Sequence, residues 1–269
     1  MPELPEVETI RRQIAPRLTQ QVLTTIETST SPKFVTANEA LGRTVLGLRR
    51  SGKYLIASLT DDKEMVIHLG MTGSLRVVDE IDEADPYTRV RAQLCSGATL
   101  VFRDVRQFGR VMVVDTGAYT SMPTLANLGP DALSEAFTGD HLWHALRSSR
   151  RHLKTQLLSQ RPVAGIGNIY ADEALWRARV HPRDTRLSRP RAHDLRDHLV
   201  DVLTESINRG GTTIRDYVNA NGTTGENQDY LACYGRSGTP CQRCQTALVR
   251  IVVDARSTTL CPTCQPRRR

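Results

Sequence analysis

Four of the six cysteines in this chain have the spacing of metal ligands. Cys241 and Cys244 form one C-x-x-C pair, and Cys261 and Cys264 form a second pair sixteen residues further on. Four thiolates at this spacing suit a tetrahedral zinc ion, and a site closed by four cysteines leaves no open position for catalysis. The sequence therefore predicts one structural Zn2+ ion. We expect the other two cysteines, Cys95 and Cys233, to be buried or half-buried.

The residues around these cysteines predict a small zinc ribbon over residues 231–269. Ala247–Val253 and Ser257–Leu260 have strand character, with a turn between them at Asp254-Ala255. A segment this short buries little apolar core, so the metal is expected to supply its folding energy. The segment holds seven arginines and one acid in a chain of net charge +7. This charge favours nucleic acid as a partner, although a solvated basic tail has the same composition.

A second reactive group is the proline that follows the initiator methionine. Once Met1 is removed, Pro2 presents a secondary amine, and an α-amino group has a pKa of about 8, so part of it is free base at neutral pH. Such an amine attacks an aldehyde-like carbon to form an iminium ion, which activates the neighbouring carbon for elimination. Taken alone, Pro2 is more simply a helix-starting residue.

The pattern of apolar residues predicts the elements that position these groups. Val7, Ile10, Ile14 and Leu18 share one helical stripe, which predicts an N-terminal helix. Short segments rich in β-branched residues then predict a β-sandwich or barrel. These predicted strands are Val22–Ile26, Thr44–Arg49, Tyr54–Leu59, Glu64–Leu69, Ser74–Val78, Val90–Cys95, Thr99–Arg103 and Arg110–Val114.

The pattern becomes helical after a linker near residue 117. The predicted helices are Ala132–Ala136, Asp140–Arg147, His152–Ser159, Tyr170–Ala178, Arg191–Arg209 and Thr213–Tyr217. We therefore expect an α+β multidomain protein with an N-terminal helix and β-sandwich domain, a helical domain and the ribbon. The expected boundaries are 1–116, a linker over 117–130, then 131–230 and 231–269. A secretory signal and a long apolar run are not recognisable, so we expect a soluble, intracellular protein.

Several motifs, in order along the chain, resemble the formamidopyrimidine-DNA glycosylases. The first is the start of the chain, Pro2-Glu3-Leu4-Pro5-Glu6-Val7-Glu8-Thr9. The others are Gly52-Lys53-Tyr54-Leu55, His68-Leu69-Gly70-Met71-Thr72-Gly73-Ser74-Leu75, Gly165-Ile166-Gly167-Asn168-Ile169-Tyr170-Ala171-Asp172-Glu173, Tyr234-Gly235-Arg236 and, with the ribbon cysteines, Cys264-Gln265. The resemblance implies a helix–two-turn–helix element around Gly165–Asn168 and a segment, Asn219–Tyr230, that closes over the damaged base.

The resemblance also implies a bifunctional DNA glycosylase and AP lyase of base excision repair that removes oxidised purines. Pro2 is expected to form a Schiff base at C1′, and Glu3 to shuttle protons beside it. Glu6 is expected to support the site as a structural acid. Lys53 and Arg256 are expected to bind phosphates, with Arg256 in the hairpin turn assisting the second step of a β,δ-elimination. We expect a cytoplasmic, bacterial, monomeric enzyme that acts on damaged double-stranded DNA.

The remaining expected DNA-binding residues serve base flipping and phosphate binding. A lesion must leave the duplex before attack, and the resemblance assigns Met71, Arg106 and Phe108 to fill the gap. Asn168 is expected to donate to a phosphate. Arg89 stands where many relatives have a histidine that contacts DNA, and we expect it to serve as a phosphate ligand instead.

Three further departures from the family pattern leave alternatives open. Gln107 replaces an arginine, Gln245 replaces a glycine, and Asn219–Tyr230 has the full length but lacks the usual aromatic residue. One alternative is an endonuclease VIII-like preference for oxidised pyrimidines. Another is a zinc-ribbon protein that binds lesion DNA without catalysis.

Overall fold

The structure, a computed structural model, describes residues 2–80 and 85–267. Helix α1 spans Leu4–Leu18 and buries the predicted apolar stripe, so the predicted N-terminal helix is confirmed. Its proline at the first helical turn is Pro5, because Glu3 is the N-cap and Pro2 lies one residue before that cap. The helix-starting role therefore belongs to Pro5.

The eight predicted strands are all present, and no end differs from its predicted position by more than two residues. They are β1 Leu23–Thr28, β2 Val45–Ser51, β3 Tyr54–Leu59, β4 Lys63–His68, β5 Gly73–Val78, β6 Thr88–Leu94, β7 Thr99–Asp104 and β8 Arg110–Asp115. They form two antiparallel four-stranded sheets with the orders β1-β6-β7-β5 and β2-β3-β4-β8. Apolar side chains of both sheets and of α1 share one core, which confirms the sandwich.

The remaining residues that the structure describes hold five α-helices and the ribbon. The helices are α2 Pro123–Ala126, α3 Gly139–Arg147, α4 Leu153–Leu158, α5 Asn168–Arg177 and α6 Arg189–Asn208. Strands β9 Val249–Val253 and β10 Arg256–Leu260 pair as the predicted antiparallel hairpin. Short 3-10 helices cover Val35–Ala40 and Asn227–Tyr230. Among the described residues, no helix has both the length and the apolar character needed to cross a membrane.

The chain divides into two compact units whose limits differ from the expected boundaries. The first unit is Met1–Ala126 with Ile207–Gln228, and the second is Asn127–Ser206 with Asp229–Arg269. The segment Ile207–Gln228, here called the return segment, joins the first unit because it packs on α1. Helices α3, α4 and α5, most of α6 and the ribbon together make the second unit.

Two predicted helices are wrong. Ala132–Ala136 forms turns, because the Asp131 side chain accepts a hydrogen bond from the Leu133 amide and the Asp131 carbonyl accepts one from the Ser134 hydroxyl. Side-chain bonds of this kind compete with a helix. Thr213–Tyr217 is also not helical, since the Thr213 hydroxyl donates to the Tyr217 carbonyl, and the Thr213 amide donates to the Gln228 side chain.

Candidate active site and zinc centre

Pro2, Glu3 and Glu6 lie together at the buried start of α1. Pro2 is buried, and Glu3 and Glu6 are only 2% and 1% exposed. The Glu6 carboxylate accepts a hydrogen bond of 2.8 Å from the Glu3 amide, which fixes the backbone beside Pro2. A carboxylate at this end of a helix is also stabilised by the helix dipole. Pro2 and Glu3 are therefore adjacent residues at a buried helix start, and removal of Met1 would turn the Pro2 nitrogen into an amine there.

The second oxygen of Glu6 holds the return segment. It accepts a 2.7 Å hydrogen bond from the Thr212 amide. Gly211 has a φ of +89°, and a Cβ there would come within 3.1 Å of the Glu6 side chain, so this approach favours glycine. The Ala220 amide donates to Gln13 of α1 at 2.8 Å. Glu6 therefore links the start of α1 to the segment that leads into the expected capping loop.

A buried carboxylate, Glu8, connects α1 to the turn that carries Lys53. Gly52 and Lys53 form the two-residue turn between β2 and β3, and Lys53 is 9% exposed. Arg50 donates to the Glu8 carboxylate at 3.1 Å and to the Gly52 carbonyl at 3.1 Å. Burial raises the pKa of Glu8, but hydrogen bonds from Arg11 and Arg12 outweigh it and hold the pKa at about 2. Glu8 therefore stays ionised and sets the position of the Lys53 turn relative to the helix.

His68, at the end of β4, is a neutral neighbour of Lys53. Burial, together with the positive charges of Lys53 and Arg110, lowers the pKa of His68 to about 4. Its Nδ1 atom accepts a 3.2 Å hydrogen bond from the Gly70 amide, so Nε2 carries the proton. Lys53 and His68 thus bring an ammonium and a neutral N–H donor near each other, a combination suited to an anion.

The three expected wedge residues lie on two adjacent loops of the first unit. Met71 is 38% exposed and Phe108 is 50% exposed, unlike core residues of their size. The Arg106 guanidinium lies 4.7 Å from the Phe108 ring centroid. Gly70 has a φ of +65°, and a Cβ on it would lie only 2.4 Å from the Gly109 nitrogen. The two loops therefore lie so close together that only glycine fits at position 70.

Asp104, which is fully buried, connects these two loops. Its carboxylate accepts hydrogen bonds from the Thr72 hydroxyl at 2.6 Å and the Gly109 amide at 2.7 Å. The Asp104 carbonyl accepts a 2.9 Å bond from Arg89, which also donates to the Pro86 carbonyl. Arg89 thus supports the loop that carries the wedge, and its phosphate-binding role stays a prediction.

The second unit brings Asn168 and Arg256 close to each other. Asn168 begins α5, and its side-chain amide donates to the Ser257 carbonyl at 3.1 Å. Arg256 is the residue before Ser257; it lies at the start of β10 rather than in the turn, and it is exposed. Asn168 is thus bonded to the residue next to Arg256, and an exposed arginine and the first turn of a helix are both groups suited to a phosphate.

A buried ion pair fixes β10 on the helices below. The Lys154 ammonium lies 2.6 Å from the Asp172 carboxylate, and both side chains are fully buried. Lys154 also donates to the Thr258 hydroxyl at 2.8 Å, and the Thr259 amide donates to Asp172 at 2.9 Å. Glu173 similarly accepts bonds from the Ala232, Cys233 and Tyr234 amides. The Asp172-Glu173 part of the motif therefore holds the ribbon to α5.

Removing the charge of one partner of the Lys154–Asp172 pair is expected to lower the stability of the protein. Asp172→Asn leaves the Lys154 charge buried without a counterion and should destabilise the protein by about 3–5 kcal/mol. That loss corresponds to a fall in melting temperature of roughly 10 °C by calorimetry. The matched control is Lys154→Met combined with Asp172→Leu, which we expect to be less destabilising than the single change. A single variant that melts like the wild type would contradict a stabilising role for the pair.

The four ribbon cysteines form the zinc site. Their sulfur atoms all lie within 4.8 Å of one another, with Cys241 to Cys264 at 4.0 Å and Cys244 to Cys261 at 3.4 Å. Tetrahedral zinc thiolates with bonds of about 2.3 Å place their sulfurs roughly 3.8 Å apart. The donor set therefore fits one structural Zn2+ ion.

The residues beside the cysteines bind the ribbon to α5. Arg243 donates to the Trp176 and Arg177 carbonyls at the end of α5, and it stacks 4.0 Å from the centre of the Trp176 ring. Gln265 accepts from the Cys261 amide and donates to the Val180 carbonyl. Gln245 has a φ of +62°, the region that favours glycine, so the first knuckle keeps its turn with some backbone strain.

Removal of the zinc is expected to unfold the ribbon. Zinc binding contributes about 10–16 kcal/mol in small zinc domains, far more than this hairpin gains from burial. Cys261→Ala should reduce zinc content from one ion per chain and abolish protection of the β9–β10 amides in hydrogen exchange. Cys95→Ser is the control, because Cys95 is not a zinc ligand. Retention of both zinc and ribbon protection by Cys261→Ala would contradict the assignment.

The predicted site residues divide between the units. The first unit carries Pro2, Glu3, Glu6, Lys53, Met71, Arg89, Arg106 and Phe108, and the second carries Asn168, Arg256 and the four cysteines. Cys233 is buried as expected, but the expectation for Cys95 is wrong, because it lies exposed just beyond β6. Sequence reasoning missed Glu8, His68 and Asp104. Their presence in or beside the family motifs was the available signal.

The sandwich, the helical pair around Gly165–Asn168 and the four-cysteine ribbon together define a zinc-ribbon, helix–two-turn–helix class of DNA-binding protein. Family models match three consecutive regions of the chain. These are the formamidopyrimidine-DNA glycosylase N-terminal domain at residues 1–111, the H2TH domain of the same glycosylases at 128–218, and the zinc finger found in FPG and IleRS at 238–267. The chain belongs to the formamidopyrimidine-DNA glycosylase family.

Full-length relatives and solved structures agree with this membership. The chain is 43% identical to the formamidopyrimidine-DNA glycosylase of Deinococcus radiodurans, over 100% of this chain and 98% of the relative. It is similar to the crystal structure of the MutM (Fpg) protein of Thermus thermophilus, with a TM-score of 0.91, 44% identity and 98% of each chain covered. A Lactococcus lactis Fpg in complex with Fapy-dG-containing DNA has a TM-score of 0.89 and 33% identity, with 98% and 100% covered.

Proposed function

We propose that this protein is a bifunctional DNA glycosylase and AP lyase that removes oxidised purines, including 8-oxoguanine and formamidopyrimidines, from duplex DNA. The observation that supports this most strongly is the burial of the consecutive residues Pro2 and Glu3 at the start of α1, where Glu6 accepts a hydrogen bond from the Glu3 amide. The family membership and the relatives' names support the same reaction. Because the amine must be free, activity requires removal of Met1.

The first chemical step uses Pro2 as nucleophile. Its nitrogen attacks C1′, the bond from C1′ to the base breaks, and the base leaves with a proton. Glu3 gives a proton to the ring oxygen O4′ as the sugar opens, and an iminium forms between C1′ and Pro2. Glu3, now a carboxylate, can accept the C2′ proton. Loss of that proton breaks the C3′–O3′ bond, which is the β-elimination.

The second elimination removes the remaining phosphate. Loss of the C4′ proton sends an electron pair through the conjugated iminium and breaks the C5′–O5′ bond, and water then releases Pro2. Both leaving groups are phosphates, so cationic ligands assist their departure. We assign this role to Lys53 in the first unit and to Arg256 with Asn168 in the second. The product is a one-nucleotide gap with phosphates at both ends.

Base flipping is assigned to Met71, Arg106 and Phe108. Met71 and Phe108 supply exposed apolar surface that can replace the lost stacking, and the Arg106 guanidinium can pair with the orphaned base. We assign Arg89 a phosphate contact beside this wedge. The protein is proposed to act on DNA in the bacterial cytoplasm, and to act there as a monomer. Sedimentation with and without a lesion duplex would test the monomeric state.

The lesion preference is tested by an excision panel. Duplexes that carry 8-oxoguanine, formamidopyrimidine-guanine or dihydrouracil are compared under single-turnover conditions. We expect the two purine lesions to be removed at least about tenfold faster than dihydrouracil, as differential transition-state binding of the flipped base requires. Faster removal of dihydrouracil would instead support the endonuclease VIII-like alternative.

A further inference from the structure

The turn of the ribbon hairpin holds an alanine in a backbone conformation that alanine disfavours. Asp254 and Ala255 form the two-residue connection between β9 and β10, with φ values of +44° and +65°. A turn with two positive φ values favours asparagine, aspartate or glycine, so Asp254 suits its position, whereas alanine is disfavoured at position 255. The turn immediately precedes Arg256. The surrounding contacts must therefore hold this conformation in place.

Those contacts come from the start of α4. Asp254 Oδ2 accepts a hydrogen bond from the Thr155 hydroxyl at 2.5 Å and lies 3.1 Å from His152 Nδ1. These residues are all in the second unit. On the other side of the arginine, the Ser257 carbonyl accepts from Lys154 and Asn168. Arg256 thus lies between two fixed points, one at Asp254 and one at Ser257.

The Arg256 side chain itself is left available. It is exposed, and within the described part of the chain its guanidinium has no hydrogen-bond or ion-pair partner. A cation that must meet a leaving phosphate gains from a fixed backbone, because errors of about 1 Å in position cost rate. We propose that Asp254 is a positioning residue for Arg256: by bonding Thr155 and His152, it fixes the turn from which the arginine reaches the phosphate.

This inference rests on the proposed function, and it concerns only the second elimination. The decisive variant is Asp254→Gly, because glycine adopts a positive φ freely and the change removes only the bonds to α4. Thr155→Val removes the shorter bond from the other side without changing the turn. Asp62→Gly is the matched control, since Asp62 is exposed, has a φ of +53° and lies in the turn between β3 and β4.

The measurement is the ratio of β,δ- to β-elimination ends formed on an abasic-site duplex, with borohydride trapping, zinc content and melting temperature recorded in parallel. We expect Asp254→Gly and Thr155→Val to lower the ratio at least about threefold, with trapping and zinc content unchanged. Asp62→Gly should leave the ratio unchanged. A normal ratio in Asp254→Gly, or a fall that only follows zinc loss, overturns the inference. Absence of trapping by the wild type overturns the proposed function itself.

Discussion

A peptide extension in front of Pro2 is expected to lower strand cleavage by about a thousandfold or more while lesion-DNA binding persists. The extension converts the Pro2 amine into an amide, whose nitrogen lone pair is delocalised and cannot attack C1′. The measurement is the single-turnover cleavage rate of an abasic-site duplex, together with the affinity for the same duplex. Loss of cleavage with retained binding would also exclude the alternative that the protein binds lesion DNA without catalysis.

The matched control carries the same peptide after Arg269. That form keeps a free Pro2 after removal of Met1, so we expect cleavage at nearly the unextended rate. Equal cleavage by the two extended forms would contradict the role of Pro2. Substitution Pro2→Gly is less decisive, because glycine still presents an amine.

Glu3→Gln is expected to lower excision of 8-oxoguanine by about 100- to 10,000-fold, the usual contribution of a positioned proton donor. Glutamine keeps the size of the side chain but cannot transfer a proton to O4′. Borohydride trapping on a preformed abasic site should fall much less, because its aldehyde form needs no ring opening. The two assays therefore separate base removal from Schiff-base formation.

The control for this variant is Glu27→Gln, whose side chain is 72% exposed in β1 of the same unit. It should retain excision at the wild-type rate. An equal loss in both assays for Glu3→Gln would show that the change disturbs the start of α1 rather than proton transfer. Excision that stays within a few-fold of the wild type would remove Glu3 from the mechanism.

Much of the fold follows from local sequence pattern. The strands of the sandwich alternate or run apolar over short stretches, and the zinc ligands are defined by spacing alone. The two failed helices show the limit of such patterns. Asp131 and Thr213 form hydrogen bonds that stabilise turns, and no periodicity of apolar residues reveals those bonds.

The residues proposed as catalytic could be named from the sequence because motifs carry them, but the residues that position them could not. Glu6 holds Thr212, which lies more than two hundred residues further on in the chain. Glu8 acts on Lys53 only through Arg50 and the Gly52 carbonyl. Such links depend on which elements pack together, and a single sequence does not encode that in local spacing.

The most direct test of catalysis by Pro2 is borohydride reduction of the methionine-free enzyme with an 8-oxoguanine duplex, followed by mass mapping of the adduct. We expect one covalent adduct, on the N-terminal peptide, with the sugar remnant on the Pro2 nitrogen. Tight binding of the duplex without any adduct, or an adduct that maps to a lysine such as Lys53, would contradict the role of Pro2 as nucleophile.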